Sequence, residues 1–167
     1  MLGFLHPLKN RLLSALPSED KALLVPHLSP IDLDKGRLLY DPGDAIDQVY
    51  FPNDGVISLM TLMESGAAIE SATIGREGAL GLMAAVAPRQ SLSRAIVQAP
   101  GSALRIAAGP LHEAWKRSAT LRDLVDRHNE ALFGHAIQSV ACNALHPVEA
   151  RFCRWLLSCH DRIDSST

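Results

Sequence analysis

Between Leu28 and Leu111 the sequence contains neither histidine nor cysteine, and all seven histidines and all three cysteines lie outside that stretch. Enzymes built on small β-barrels or rolls usually hold a metal through strand-borne His and carboxylate side chains, so this gap argues against such chemistry. There is no C-x-x-C pair, and three is an odd number of thiols, which suits reduced cysteines in a reducing compartment. Neither a G-x-S-x-G elbow nor a Walker loop is present. The expectation is therefore a protein that is not an enzyme and has no resident cofactor or metal. No apolar run approaches the roughly 20 residues needed to span a bilayer. The N-terminal run Met1–Arg11 is apolar but is broken by Pro7 and then charged, unlike a signal peptide. A cytoplasmic location without membrane contact is the expectation. A basic excess is also missing: 16 Lys and Arg stand against 18 Asp and Glu, a formal net charge of -2. Bulk charge does not make this stretch a nucleic-acid binder.

What is present is a chain of 167 residues that is 47% hydrophobic, enough for one domain with an appendage and a real core. From Pro7 to about Leu28 it reads as short helices, with Leu12, Leu13, Leu16, Leu23 and Leu24 on an apolar face. Ser18-Glu19-Asp20 after Pro17 marks a helix start with acidic residues in its first turn. Pro26 and Pro30 end this region. Short β runs then alternate with turns: Gly36–Tyr40, the turn Asp41-Pro42-Gly43-Asp44, Val49–Phe51, and the turn at Asp54-Gly55. Val56–Met63 and Ala67–Ile74 read as a hairpin, and Ala95–Ala99 and Ser102–Ile106 flank Pro100-Gly101. Many short strands at close spacing predict an antiparallel sandwich or roll. A glycine-bearing segment, Gly75-Arg76-Glu77-Gly78-Ala79-Leu80-Gly81-Leu82, interrupts the strands. Such a turn suits a small anion, and its bland reading is tight turn geometry.

After Pro110 the period becomes helical. A short helix carries Leu111, Trp115 and Lys116, and Thr120 is the expected N-cap of a long helix from Leu121 to about Ala144. His146-Pro147 breaks it, and Val148 to about Arg162 forms another helix. Leu121, Val125, His128, Leu132, His135, Ser139 and Cys142 follow spacings of four and three, with Leu124, Ala131, Phe133, Ala136 and Val140 widening the face. One side can cover the roll and the other can pair with a second copy, as in a short parallel coiled coil. The expected dimer interface is Leu121, Val125, His128, Leu132, Ala136 and Val140. Each large apolar side chain buried there contributes roughly 1.5–3 kcal/mol. A purely intrachain core helix is the alternative. His128, His135 and Cys142 lie seven apart on one face, but successive positions are about 10 Å apart along the axis, too far for one ion to bridge. They read as polar residues setting the register of a seam.

Several blocks resemble the Crp/Fnr family of bacterial transcription regulators and, more broadly, cyclic-nucleotide-binding domains. They are Asn10–Pro17, Gly36 with Asp41–Asp44, Tyr50-Phe51, and the run from Cys142 to Leu157, which looks like a hinge and the first helix of a DNA-binding domain. The resemblance covers nearly the whole chain. It implies an α+β fold: N-terminal helices and a jelly-roll-like antiparallel β-roll over 1–119, a dimerisation helix over 120–145, and a hinge with the start of a truncated DNA-binding domain over 146–167. After Ile163 the winged helix-turn-helix of relatives is missing, which suggests a sensory part of a longer protein or a naturally short relative. The implied partners are a second copy, DNA through elements absent here, and a small-molecule effector. In nucleotide-binding relatives a Gly-Glu-x-Ala/Gly-Leu segment and a later Arg hold the ligand. The matching residues are Gly78, Ala79, Leu80, Gly81 and Leu82, with Ser93 and Arg94. Ala79 stands where the ribose-binding Glu belongs, and Arg94 is displaced by one strand position, which turns it to the opposite face. The expectation is an effector-sensing and dimerisation module that does not respond to cyclic AMP. The alternative is a free-standing ligand-binding domain without DNA output.

Overall fold

The computed structural model describes residues 8–163. The apolar start of the chain up to Pro7 and the tail from Asp164 to Thr167 lie outside the described residues. Two antiparallel sheets form the body. One has three strands in the order β1 (Ser29–Leu33), β7 (Gly101–Ala107), β3 (Gln48–Pro52). The other has four, in the order β2 (Leu38–Tyr40), β6 (Arg94–Ala99), β4 (Val56–Leu62), β5 (Ala68–Ile74). The predicted roll is present. β4 and β5 form the expected hairpin, with Ile57 opposite Ile74 and Leu62 opposite Ala68. β6 and β7, by contrast, meet at Pro100-Gly101 and belong to different sheets, so this corner joins the two layers. In the Asp41–Asp44 turn the Asp44 amide donates to the Asp41 carbonyl at 3.0 Å, and Gly43 takes φ +92°.

The apolar alternation of the strands fills two cores. Between the sheets lie Leu33, Tyr40, Tyr50, Ile57, Ile74, Leu80, Ala95, Val97 and Ala103. Outside the three-stranded sheet, Val49, Phe51, Leu104 and Ile106 pack with Leu13, Leu16, Leu24, Leu111, Leu121 and Val125 from the helices. α1 (Arg11–Ala15) and α2 (Ser18–Leu24) form where expected, α2 with Glu19 and Asp20 in its first turn. α3 spans Ala108–Arg117, α4 Ala119–Leu145 and α5 Val148–His160. The predicted cap of α4 is corrected: Ser118, not Thr120, caps it, with the Ser118 hydroxyl accepting from the Leu121 amide at 2.8 Å. Ser and Thr are both favoured N-cap types, Ser somewhat more so. What decides here is where α3 ends, since Ser118 is the extended residue between the two helices.

Asn10 ties the N-terminal helices to the roll. It is fully buried and caps α1, its Oδ1 accepting from the Leu12 and Leu13 amides. Its Nδ2 donates to the Pro52 carbonyl at 2.8 Å and to the Gly78 carbonyl at 2.9 Å, and its backbone amide donates to Asn53 Oδ1. Both ends of the side-chain amide are thus spent, as a buried polar group requires. On the other side, α4 docks through His128, whose Nε2 accepts from the Ala79 amide at 3.1 Å. That acceptor role places the ring proton on Nδ1, a buried atom without a hydrogen-bond partner among the described residues. Burial pushes His128 below the ordinary histidine value. Burial also lowers His135, helped by Arg162 and Arg154.

Two outcomes follow from these contacts. Asn10→Ala removes a cap and leaves two buried carbonyls unpaired, and is expected to lower unfolding stability by about 2–4 kcal/mol in urea titration. Asn10→Asp keeps the cap acceptor but faces a carboxylate to two carbonyls, so it too is destabilised, which a pure capping role would not produce. The histidines set a pH dependence. Their folded values are depressed, so the unfolded chain binds more protons and stability rises with pH. The contribution is present above about pH 6.5, the unfolded histidine value, and is lost as pH falls below it toward the folded values. Melting temperature is expected to drop between neutral pH and the onset of carboxylate titration, and His128→Gln is expected to flatten that slope.

Candidate functional site

The glycine segment leaves β5 at Ile74 and re-enters regular structure at the 3₁₀ turn Leu82–Ala85. Its backbone is held at each step. The Gly78 amide donates to the Gly75 carbonyl at 3.0 Å, the Ala79 amide to His128, and the Leu80 amide to the Tyr50 carbonyl at 2.8 Å, which Tyr50 returns at 3.0 Å. Gly81 then takes φ +82°, a left-handed conformation, and a Cβ there would sit 2.8 Å from Ile46 Cγ2. The sequence therefore needs glycine at 81 for both reasons. Glu77 turns away from this backbone path. Its Oε1 accepts from Arg162 Nε at 2.6 Å and from the Gly75 amide at 3.1 Å, so the end of α5 is pinned to the segment. Arg76 Nη2 adds a bond to the Asp161 carbonyl. A Cβ on Gly75 would lie 2.5 Å from the Arg162 side chain, so this close approach also demands glycine.

Beneath the segment opens a cavity of about 550 Å³, within the range of small-molecule sites. Its wall is built from Tyr40 of β2, Ile46, Leu59 of β4, Ile74 of β5, residues 79–83, residues 89–93, and His128, Asn129 and Leu132 of α4. A second cavity of about 210 Å³ lies beyond it, lined by Thr73, Glu77, Gly78, His135 and Arg162, and His128 and Leu132 line both. Of the site residues expected from sequence, Ala79, Leu80, Gly81, Leu82 and Ser93 line the larger cavity. Two are corrected. Gly78 lies on the second cavity. Arg94 makes a bidentate pair with Asp41, Nε to Oδ1 at 2.8 Å and Nη2 to Oδ2 at 2.7 Å, and lines neither space. The pairing holds the Asp41 carboxyl below its usual range.

The residue that sequence reasoning missed is Arg89. It lines the larger cavity, and no ion pair engages it among the described residues. Its carbonyl accepts from the Ile46 amide at 2.9 Å, while Ser91 exchanges bonds with the turn at Asp41–Asp44, so the 89–91 stretch is anchored beside β2. Pro88 and Arg89 are exposed and irregular, and these bonds together with the pairing of Ala45 with Gln90 bring them over the cavity mouth.

The predicted dimer seam also needs correction. Leu121 and Val125 are buried in the chain's own helical core, His128 and Leu132 wall the cavities, and Ser139 and Cys142 are buried as well. This stripe is spent on the roll and on α5, where Arg154 Nη1 donates to Ser139 Oγ at 3.1 Å. His128, His135 and Cys142 therefore set how α4 docks within the chain, not a seam register. Of the expected interface residues only Ala136, half-buried, and Val140, exposed, remain open to another molecule. Beside them stand Phe133 and Ile137, which are 68% and 55% exposed. Among the described residues, no group of three or more His, Cys, Asp or Glu side chains gathers at one point, and no helix is long and apolar enough to cross a membrane.

Comparison with known proteins bears on this architecture. No curated protein matches the chain by sequence. Among solved structures, it is similar to the N-terminal domain of a transcriptional regulator from Streptomyces coelicolor A3(2), at 19% identity and a TM-score of 0.59, over 80% of this chain and 94% of that one. It is similar to the c-di-GMP-responsive global regulator CLP of Xanthomonas campestris, at 12% identity and a TM-score of 0.67, over 84% and 70% of the two chains. It is also similar to the catabolite activator protein of Thermus thermophilus, at 18% identity and a TM-score of 0.58, over 88% and 62%. At these identities the likeness is one of fold. The sequence itself goes further: residues 30–118, more than half of the chain, match the family described as Cyclic nucleotide-binding domain. The chain belongs to the cyclic nucleotide-binding domain family.

Proposed function

We propose that this chain is the effector-sensing and dimerisation part of a Crp/Fnr-type transcription regulator in the cytoplasm, that its cavity is not built for cyclic AMP, and that DNA is contacted by elements outside this chain. The observation that carries the reading is the two-sided use of α4. On one side His128 and Leu132 form the cavity wall. On the other, Phe133, Ile137, Val140 and Ala144 recur at spacings of four, three and four, all exposed. That is the spacing of a coiled-coil seam. An effector on one side and a second copy on the other would thus act on the same rod. Coupling requires only that the effector bind one arrangement of α4 better than another. Against cyclic AMP stand the buried Ala79 in place of a carboxylate, the diversion of Glu77 to Arg162, and the pairing of Arg94 with Asp41.

Two measurements test this reading. In sedimentation equilibrium the parent chain is expected to be a dimer, and Phe133→Asp with Val140→Asp is expected to give a monomer with an unchanged circular dichroism spectrum and a melting temperature that no longer depends on concentration. Leu132→Asp is expected to damage the roll instead. A parent chain that sediments as a monomer would sink the dimer. For the α5 clip, Arg162→Gln is expected to speed hydrogen exchange over Val148–His160 while leaving β4 to β7 protected. Uniform protection in that variant would remove Glu77–Arg162 as the tether.

A further inference from the structure

We propose that the larger cavity takes an amphiphilic monoanion: a carboxylate head carried on an apolar acyl or aryl body. This rests on reading the cavity as the effector site and names the chemistry of its guest. The body of the cavity is apolar, with Ile46, Leu59, Ile74, Leu80, Leu82 and Leu132 on its walls. Among the described residues, the lining contains no carboxylate and three ionisable side chains: Tyr40, Arg89 and His128.

Two of these three are neutral, and each has hydrogen-bonding capacity spent within the protein, although His128 keeps its Nδ1 donor unpartnered among the described residues. The Tyr40 hydroxyl donates to the Gln48 carbonyl and accepts from the Gln48 amide at 3.0 Å, and burial pushes its phenol well above the usual range. His128 gives its Nε2 lone pair to the Ala79 amide. That leaves one formal charge, the Arg89 guanidinium, which favours a planar oxyanion bound by paired N–H donors. A sugar phosphate would find less here. Three successive amides of the glycine segment, those of Gly78, Ala79 and Leu80, already donate within the protein. With no carboxylate in the lining, a ribose hydroxyl would also lose its strongest acceptor.

The rim gives an independent sign. Leu92 is 95% exposed and Met83 39%, and both line the same cavity. Large apolar side chains held in water beside a single cation make an apolar lip around a charged post. A guest with an apolar body covers that lip and removes its surface from water, while its head meets Arg89.

The test is calorimetric titration of the full chain with decanoate, 1-naphthoate, uncharged 1-naphthylmethanol, cyclic AMP and cyclic di-GMP. The carboxylates are expected to bind one per chain, the alcohol more weakly. Arg89→Gln is expected to weaken the carboxylates by about tenfold or more and to leave the alcohol unchanged. Arg94→Gln, outside the cavity, is expected to change neither. Circular dichroism and melting temperature check that both variants are folded. Carboxylate binding that ignores Arg89→Gln overturns the assignment of the head group. Saturable binding of a cyclic nucleotide without the carboxylates overturns the ligand class and leaves the effector site standing. No heat from any of the five at about millimolar ligand overturns both.

Discussion

The amide of Ala79 donates to His128 on the long helix, and one residue earlier the carbonyl of Gly78 accepts from the side chain of Asn10. These two bonds point in opposite directions from one peptide unit, and both are buried. A buried backbone group that loses its partner costs about as much as a lost hydrogen bond, so the unit cannot turn without a replacement for each. Two residues before it, Glu77 holds Arg162 beyond the end of α5. One residue after it, Leu80 is laddered to Tyr50 in β3. The N-terminal helices, the three-stranded sheet, the long helix and the last helix therefore meet on four residues of chain, Glu77 to Leu80. The cavity lies directly beneath that junction.

Much of this was legible because the signals are local. Pro42-Gly43, Asp54-Gly55 and the alternation in β4 and β5 each specify a turn or a strand without reference to distant residues. The helices α1 and α2 were readable for the same reason, from Pro17 and the acidic first turn. Signals that depend on tertiary placement were not. Arg89 is one exposed residue in an irregular stretch, and its place on the cavity wall arises from the pairing of 89–91 with the stretch at 43–46. Arg94 looked like the displaced ligand because spacing cannot show that Asp41, more than fifty residues earlier, waits beside it.

The long helix forms where the sequence places it, but which of its faces is buried is ambiguous in sequence. α4 carries apolar residues around most of its circumference, from Leu121 and Val125 on one side to Phe133 and Ile137 on another. A heptad pattern can be laid over either side, and a shift of one residue rotates the face by about 100°. The stripe with the longer run, Leu121 to Cys142, is the one the chain consumes itself, because the roll offers the larger apolar surface to cover. The shorter exposed stripe is what a second molecule is left to bury.

Leu132 is where these two sides come closest to each other. It lines both cavities, packs against the core between the sheets, and is followed at once by exposed Phe133. A guest drawn to Arg89 alone leaves α4 untouched, because residues 89–91 are anchored to the turn before β3 and not to the helix. To reach the helix, the guest must press on His128, Asn129 or Leu132, and of these only Leu132 is apolar. Movement at His128 strains the Ala79 amide, and through the same short backbone it strains Glu77 and the Arg162 clip. A polar ligand confined to the cavity mouth would therefore bind without changing α5, whereas a ligand with an apolar body deep enough to touch Leu132 would shift any balance between clipped and released α5 by its differential affinity for the two. On the proposed reading, the depth of the apolar wall, more than the charge at its rim, would couple occupancy to the last helix.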